Sequence, residues 1–288
     1  MSGAGAPETD GEAMALHRYK SILFDLYGAF VRKLDGWVAV ADLIELAEPL
    51  QLDSHAVRSS VSRFTRKGLL VREVRSGHVG YALSDRAVRI LDEGDLRIFD
   101  RLEAARAEDG WVLAAFSVPE RLRAERHQLR TRLVWLGFGN LGAGLWIAPG
   151  RILERAVATI GELALDPYVD VFHATYEAFG DAASLVHRCW DLDELQGVHE
   201  DFVRRFGPVE RRWRTCSPEL EPRDAFADYV TALHEWRKTP YLDPGLPVEL
   251  LPSPWPGVEA AVLFAALQER LEPVAWRFVE DRVSSSAV

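Results

Sequence analysis

The segment that most constrains this chain is residues 52–83, LDSHAVRSSVSRFTRKGLLVREVRSGHVGYAL, which combines a short amphipathic helix with a tight hairpin. At about 100° per residue, Val57, Val61 and Phe64 fall on one stripe, and such a stripe is typical of a helix face turned toward a core. The opposite side is polar and basic, with His55, Ser59, Ser62 and Arg66 flanked by Arg58 and Arg63.

Local signals also predict where this helix and hairpin begin and end. Asp53 or Ser54 can cap the first turn by accepting a backbone N–H, and Gly68 can supply the left-handed residue that ends the helix. Residues 71–75 and 79–83 then form two predicted strands around a serine-glycine turn.

The residues before this segment complete a recognisable order of elements. Residues 19–34 carry apolar side chains at helical spacing, residues 37–38 can form a short strand, and residues 41–50 predict a second helix. Helix, strand, helix, basic helix and hairpin is the order of a winged helix-turn-helix. Its recognition helix enters the DNA major groove, and the hairpin contacts the adjacent backbone.

Charge favours DNA binding by this part of the chain. Residues 18–91 hold 12 basic and 8 acidic side chains, a net charge of +4, whereas the whole chain carries −10. A local basic region in an acidic protein indicates a specific electrostatic footprint. The alternative is that the arginines only solvate a surface helix, and the sequence leaves both interpretations open.

Arginine matches guanine O6 and N7 as well as phosphate oxygens, and the first turns of a recognition helix reach base edges. We therefore assign base readout to the early helix and phosphate contacts to the late helix and hairpin. Arg58→Ala should relax sequence preference at a cost of about 1–3 kcal/mol, whereas Arg75→Ala should lower the salt slope by about one unit. The base-readout residues are His55, Arg58, Ser59 and Ser62, with Arg63 open between the two roles, and the phosphate residues are Arg66, Lys67, Arg72, Arg75 and His78.

Length and composition set the remaining limits. A chain of 288 residues that is 48% hydrophobic can bury two or three cores. No run approaches a membrane span, and the first 16 residues lack the regions of a signal peptide, so we expect a disordered tail and a cytoplasmic protein. Two cysteines, Cys189 and Cys216, make no disulfide framework, and no Cys/His spacing fits a zinc site.

The rest of the chain predicts an α+β fold in three domains after the tail (residues 1–16). The winged helix-turn-helix domain takes residues 17–95. A ferredoxin-like domain takes residues 96–180, where strand and helix patterns alternate in the order of that fold. A helical domain takes residues 181–288 and contains a proline-rich strap, KTPYLDPGLPVELLPSPWPG, at residues 238–257.

Three sequence blocks carry a resemblance that covers nearly the whole chain. They are SILFDLYGAFVRK with AVRSSVSRFTRKGLLVRE and YALSDRAVRIL; WVLAAFSVPE with LVWLGFGNLGAGLWIAP; and WDLDEL, FVRRFGPV and HEWRKTPYLDPGLPVELLPSPWPG. They resemble the PaaX family of transcriptional repressors, which control phenylacetic acid catabolism in bacteria. The resemblance implies a homodimer with a winged helix, a Cas2-like middle domain and a helical C-terminal domain. It also implies release from an inverted-repeat operator by an aryl-acyl-coenzyme A, most often phenylacetyl-CoA.

Two surfaces are candidates for this effector, because its phosphates need cations and its acyl group needs an apolar pocket. One is the predicted helix at residues 121–136 with Arg126, Arg130, Trp135 and the nearby Trp146. The other holds His234, Trp236 and Arg237, for which pinning the proline strap is an equal alternative.

Two other classes of function deserve comparison. A Cas2-like fold can host a metal-dependent nuclease, but the first strand here ends in Ser117-Val118-Pro119 where a metal-binding acid is needed. A winged helix can also serve only protein contacts, against which the basic face argues. We therefore expect no catalytic residue, no metal and no bound cofactor beyond the acyl-CoA effector.

Overall fold

The structure is a computed structural model that describes residues 22–99, 105–177, 179–215, 221–239 and 242–283. The predicted tail at residues 1–16 and the first residues of the predicted helix at 19–34 lie outside these ranges. The described residues form two compact units. We call the one built from residues 22–99, 201–237 and 258–283 the terminal unit, and the one built from residues 105–200 and 238–257 the central unit. The fold is α+β, with two antiparallel sheets.

The terminal unit begins with the predicted sequence of elements. Helix α1 spans Ile22–Ala29 and is followed by a 3-10 turn, Val31–Lys33. A three-stranded antiparallel sheet in the order β1-β3-β2 lies beside three further helices. These elements are β1 Trp37–Ala39, α2 Val40–Ala47, α3 Ser54–Arg66, β2 Leu70–Arg75, β3 His78–Leu83 and α4 Asp85–Phe99.

Helix α4 contains a glycine, Gly94, in the sequence Glu93-Gly94-Asp95. Glycine favours a break, but the helix continues through these residues to Phe99. A glycine inside a helix costs only about 1 kcal/mol. Arg32 offsets that cost because its guanidinium pairs with Asp92 and Asp95 on successive turns of α4.

Three more helices complete the terminal unit around an aromatic core. Phe30 is fully buried, and its ring lies 5.3 Å from Phe226, 6.0 Å from Tyr229 and 5.3 Å from Trp276, measured between centroids. The helices are α8 Leu192–Thr215, which enters this unit at residue 201, α9 Pro222–Trp236, and α10 Pro256–Val283, which enters at residue 258.

The central unit has the predicted ferredoxin-like order. Its four strands lie in the order β5-β6-β4-β7, and every neighbouring pair is antiparallel. Two helices pack on one face of the sheet through a core that includes Leu129, Leu133 and Ile160. The elements are β4 Trp111–Phe116, α5 Arg123–Leu136, β5 Gly139–Gly142, β6 Leu145–Pro149, α6 Leu153–Glu162 and β7 Val169–Ala174.

The other face of this sheet is covered by a helix that the sequence pattern missed and by the proline-rich strap. Helix α7 spans Ala182–Cys189 and is capped by Asp181, whose carboxylate accepts a hydrogen bond from the Ser184 amide at 2.5 Å. Leu246 and Trp255 of the strap join the same apolar cluster as Trp111 and Ile147 of the sheet.

Candidate nucleic-acid interface

The buried side of α3 fixes the direction in which its basic side points. Val57, Val61 and Phe64 are at most 1% exposed, and the Phe64 ring lies 5.6 Å from that of Phe24 in α1. Asp53 is the N-cap, because its side chain accepts a hydrogen bond from the Ala56 amide at 2.7 Å. The stripe predicted from helical spacing is therefore the buried one.

The hairpin is held against the end of α3 by side-chain hydrogen bonds to the backbone. Ser84 donates its hydroxyl to the Gly68 carbonyl at 2.7 Å, and Arg86 donates to the Lys67 carbonyl at 3.1 Å. Ser76 and Gly77 form the turn with φ values of 48° and 82°, a left-handed pair that suits a two-residue hairpin. These bonds place the residues that follow the hairpin beside the end of α3, and helix and hairpin present one continuous surface.

All ten side chains that the sequence assigns to DNA lie exposed on this surface. The helix contributes its outer side over three turns, and the hairpin contributes both strands near the turn. They are His55, Arg58, Ser59, Ser62, Arg63, Arg66, Lys67, Arg72, Arg75 and His78.

These cations differ in how far neighbouring groups already engage them. Arg75 pairs with Glu73 at 2.8 Å, and its guanidinium lies 5.3 Å from the centroid of the Trp37 ring. Arg58, Arg66 and Arg72 form no ion pair with any residue that the structure describes. The positive potential available to a phosphate is therefore greater at these three arginines than at Arg75.

Glu73 is a site residue that sequence reasoning missed. Its position two residues before Arg75 on one strand was a usable signal, since alternate strand residues share a face.

The first predicted effector surface lies in the central unit. Arg126 pairs with the exposed Glu120 at 2.7 Å, and the Arg130 guanidinium lies 5.9 Å from the Trp146 ring centroid. Trp146 is 5% exposed and belongs to the core, while Trp135 is half-buried against it. The structure thus brings Arg130 and Trp146 together and engages Arg126 with a carboxylate.

The second predicted effector surface lies in the terminal unit and has a different character. Trp236 is 2% exposed and stacks on Phe264 at 4.9 Å between centroids. His234 Nδ1 and Arg237 Nε each lie 2.5 Å from the carboxylate of Asp25 in α1. These two residues therefore join α9 to the first helix of the chain.

Asp25 was also missed at the level of sequence. It is 6% exposed and stands within the apolar run ILFDLYGA. An acid inside such a run was the available signal, because a buried carboxylate needs a cationic or hydrogen-bonding partner.

The described residues hold neither a metal cluster nor a membrane-spanning helix. His173 of β7 places Nε2 2.9 Å from the Asp109 carbonyl oxygen, and no group of three or more His, Cys, Asp or Glu side chains there is arranged to hold a metal ion. None of the helices in this part of the chain is both long and apolar enough to span a bilayer.

Family models match three consecutive parts of the chain. The model of the PaaX-like protein matches residues 18–87, that of the PaaX protein central Cas2-like domain matches residues 104–186, and that of the PaaX-like protein C-terminal domain matches residues 190–281. The chain belongs to the PaaX family.

One similar protein agrees with this membership, and one solved structure shares the fold. The transcriptional repressor PaaX of Escherichia coli strain K12 is 28% identical over 269 residues, which cover 92% of this chain and 84% of that protein. An uncharacterized protein from Mycobacterium tuberculosis shares the fold, with a TM-score of 0.51 and 24% identity over 86% of this chain and 95% of the solved one. The family and the first relative support a role in transcription regulation.

Proposed function

We propose that this protein is a cytoplasmic repressor that binds operator DNA and controls an aromatic-acid catabolic operon of the phenylacetate type. It acts as a homodimer on an inverted-repeat operator and is released by an aryl-acyl-CoA such as phenylacetyl-CoA. The observation that carries the DNA-binding part is the exposed basic side of α3 and its hairpin, in a chain whose net charge is −10.

The surface has the chemistry that operator recognition needs. Arg58 and Ser59 lie in the second turn of α3, where a side chain reaches base edges when the helix lies in the major groove. Arg66 and Arg72 lie at the end of α3 and on β2, where they can contact the phosphates on either side. Two such surfaces related by a twofold axis match an inverted repeat.

The effector part of the proposal draws on the family resemblance. An effector can release the operator only if it binds more tightly to the state that does not bind DNA. We propose that the acyl-CoA changes the spacing of the two recognition helices in the dimer, because half-site spacing decides whether both helices can dock.

The test is fluorescence anisotropy of labelled DNA from the protein's own promoter, titrated at two salt concentrations and repeated with phenylacetyl-CoA. Selective binding that phenylacetyl-CoA reverses supports both parts of the proposal. Selective binding that persists with this ligand supports the repressor and contradicts the choice of effector. Equal affinity for promoter and scrambled DNA contradicts operator recognition and favours a winged helix used for protein contacts.

A pair of variants separates base readout from phosphate contact. Arg58→Ala should weaken binding to promoter DNA by about 1–3 kcal/mol and should weaken binding to scrambled DNA much less. Arg72→Ala should weaken both similarly and lower the salt slope by about one unit. Arg75→Ala should lower the slope by less than Arg72→Ala, because Glu73 already neutralises part of its charge. Changes in the salt slope alone for both Arg58→Ala and Arg72→Ala would contradict readout by α3.

A further inference from the structure

A cavity of about 210 Å³ lies inside the terminal unit, bounded by α1, α4, α9 and α10. Leu91 and Phe99 of α4 and Leu233 of α9 supply apolar walls. The wall formed by α1 consists of two small residues, Gly28 and Ala29. The rest of the lining is polar or charged, and a small-molecule site combines apolar walls with polar groups that fix the orientation of the ligand.

The polar groups of the cavity are ion pairs that connect the region of α1 to each of the other three helices. Arg32 pairs with Asp92 and Asp95 of α4, Lys33 pairs with Glu272 of α10 at 2.7 Å, and Asp25 pairs with Arg237 of α9 at 2.5 Å. The Lys33 side chain is 49% exposed, so the cavity reaches solvent beside it. These contacts determine how α1 is held.

The acids of these pairs differ in the direction in which their pKa is shifted. Burial raises the pKa of Asp95, although Arg32 works in the opposite direction. Burial also acts to raise the pKa of Glu272, but hydrogen bonds from Lys33, Gln268 and Tyr229 outweigh it and lower that pKa. Because burial disfavours the ionised form of Asp95, the Arg32–Asp95 contact is the one that another hydrogen-bond acceptor can replace with least loss.

An adjoining face of α1 contacts the candidate DNA-binding helix. The Phe24 ring of α1 lies 5.6 Å from the Phe64 ring of α3, and both side chains are buried. Helix α1 thus contacts both the cavity and α3, and a shift of α1 that opens its ion pairs also changes the packing under the exposed basic surface.

We propose that this cavity binds the aryl-acyl group of the effector, with the ring against Ala29 and Leu233 and the carbonyl oxygen accepting a hydrogen bond from Arg32 or Lys33. The proposal rests on the proposed function for the identity of the ligand class. Binding replaces contacts that hold α1, and α1 transmits the change to α3.

The size of the cavity supports an aromatic acyl group. An apolar cavity of about 150 Å³ is large enough to bind benzene, so a volume of about 210 Å³ accommodates a ring with a short acyl chain. The whole coenzyme does not fit. Its polar part therefore lies outside, on the solvent side of Lys33, and either a free aryl acid or its coenzyme A thioester can supply the same group.

The experiment is isothermal titration calorimetry of the full chain with phenylacetyl-CoA and separately with phenylacetate, without DNA. Ala29→Leu places a larger side chain in the cavity, and leucine is a good helix former. It should weaken the binding of whichever ligand binds more tightly by about 100-fold. Ala227→Leu is the matched control, because Ala227 is a half-buried alanine of α9 that does not line the cavity. Lys33→Gln, at a half-exposed position that tolerates substitution, should weaken binding by about tenfold.

Loss of binding in Ala29→Leu with normal binding in Ala227→Leu supports the cavity as the site. Binding of the thioester alone assigns part of the affinity to the coenzyme outside the cavity, and binding of both ligands assigns it to the aryl-acyl group. Equal affinity of the wild type, Ala29→Leu and Lys33→Gln for the ligand overturns the proposal, as does no binding by the wild type. Promoter DNA binding, measured separately by anisotropy, shows whether the repressor proposal stands in either case.

Discussion

The Asp25 carboxylate should be the most costly single charge to remove from the terminal unit. Asp25 is 6% exposed, its carboxylate accepts a hydrogen bond from His234 Nδ1 at 2.5 Å, and it forms an ion pair with Arg237 Nε at 2.5 Å. Asp25→Asn preserves the shape but leaves the Arg237 guanidinium, itself 8% exposed, without its carboxylate. Removing one partner of a buried ion pair costs about 3–5 kcal/mol. We expect about 3 kcal/mol, because the amide oxygen can still accept one hydrogen bond.

The matched control is Glu45→Gln, the same chemical change in an exposed ion pair. Glu45 and Arg282 are 3.5 Å apart, with side chains 61% and 43% exposed. Exposed pairs contribute about 0–1 kcal/mol. The assay is urea denaturation followed by tryptophan fluorescence. With a slope of about 2 kcal/mol per M, the midpoint should fall by about 1.5 M for Asp25→Asn and by less than about 0.5 M for Glu45→Gln. Equal small shifts for both variants would refute the argument that burial makes Asp25 the critical charge.

Three further predictions follow from local geometry. Asp53→Ala should lower the free energy of unfolding by about 0.5–2 kcal/mol, because the Ala56 amide loses the side chain that caps it. The measurement is chemical denaturation, and an unchanged free energy of unfolding would contradict the prediction. Gly80→Ala should lower the free energy of unfolding by about 1–3 kcal/mol, since the new Cβ would lie 2.5 Å from the Val38 carbonyl oxygen. The control is Gly142→Ala, whose Cβ would meet no atom within 4 Å and which should lower it less. Similar melting temperatures for the two variants would count against the packing argument. Burial raises the pKa of the Cys189 thiol, so iodoacetamide at pH 8 should modify it more slowly than free cysteine, as measured by mass spectrometry, and a faster rate would disprove the assignment.

The sequence predicts the helix and hairpin of the candidate DNA interface because their signals are local. The spacing of Val57, Val61 and Phe64, the cap at Asp53 and the Ser76-Gly77 turn each act within a few residues. The two expected strands end at the observed residues, and each begins one residue later than the observed strand.

Sequence reasoning failed where distant residues decide the structure. Helix α4 passes through Gly94 because Arg32, some 60 residues away along the chain, pairs with both turns around it. Pro208 favours an end of helix α8, but the helix continues past this proline to Thr215, and the buried Trp213 holds that extension. The partnership of Asp25 with Arg237 joins residues separated by 212 positions in the numbering, so no window of sequence contains it.

The chain order of the terminal unit has a consequence for synthesis on the ribosome. Phe30 packs on Phe226, Tyr229 and Trp276, so its ring cannot be covered until α10 has been made. At about 5–20 residues per second, the 184 residues from Phe99 to Val283 take about 10–40 s to translate. The nascent chain keeps this aromatic ring uncovered for that time, although the Phe24–Phe64 contact under the DNA-binding helix can form early. The aromatic core of the terminal unit is therefore completed only after α10 has been translated.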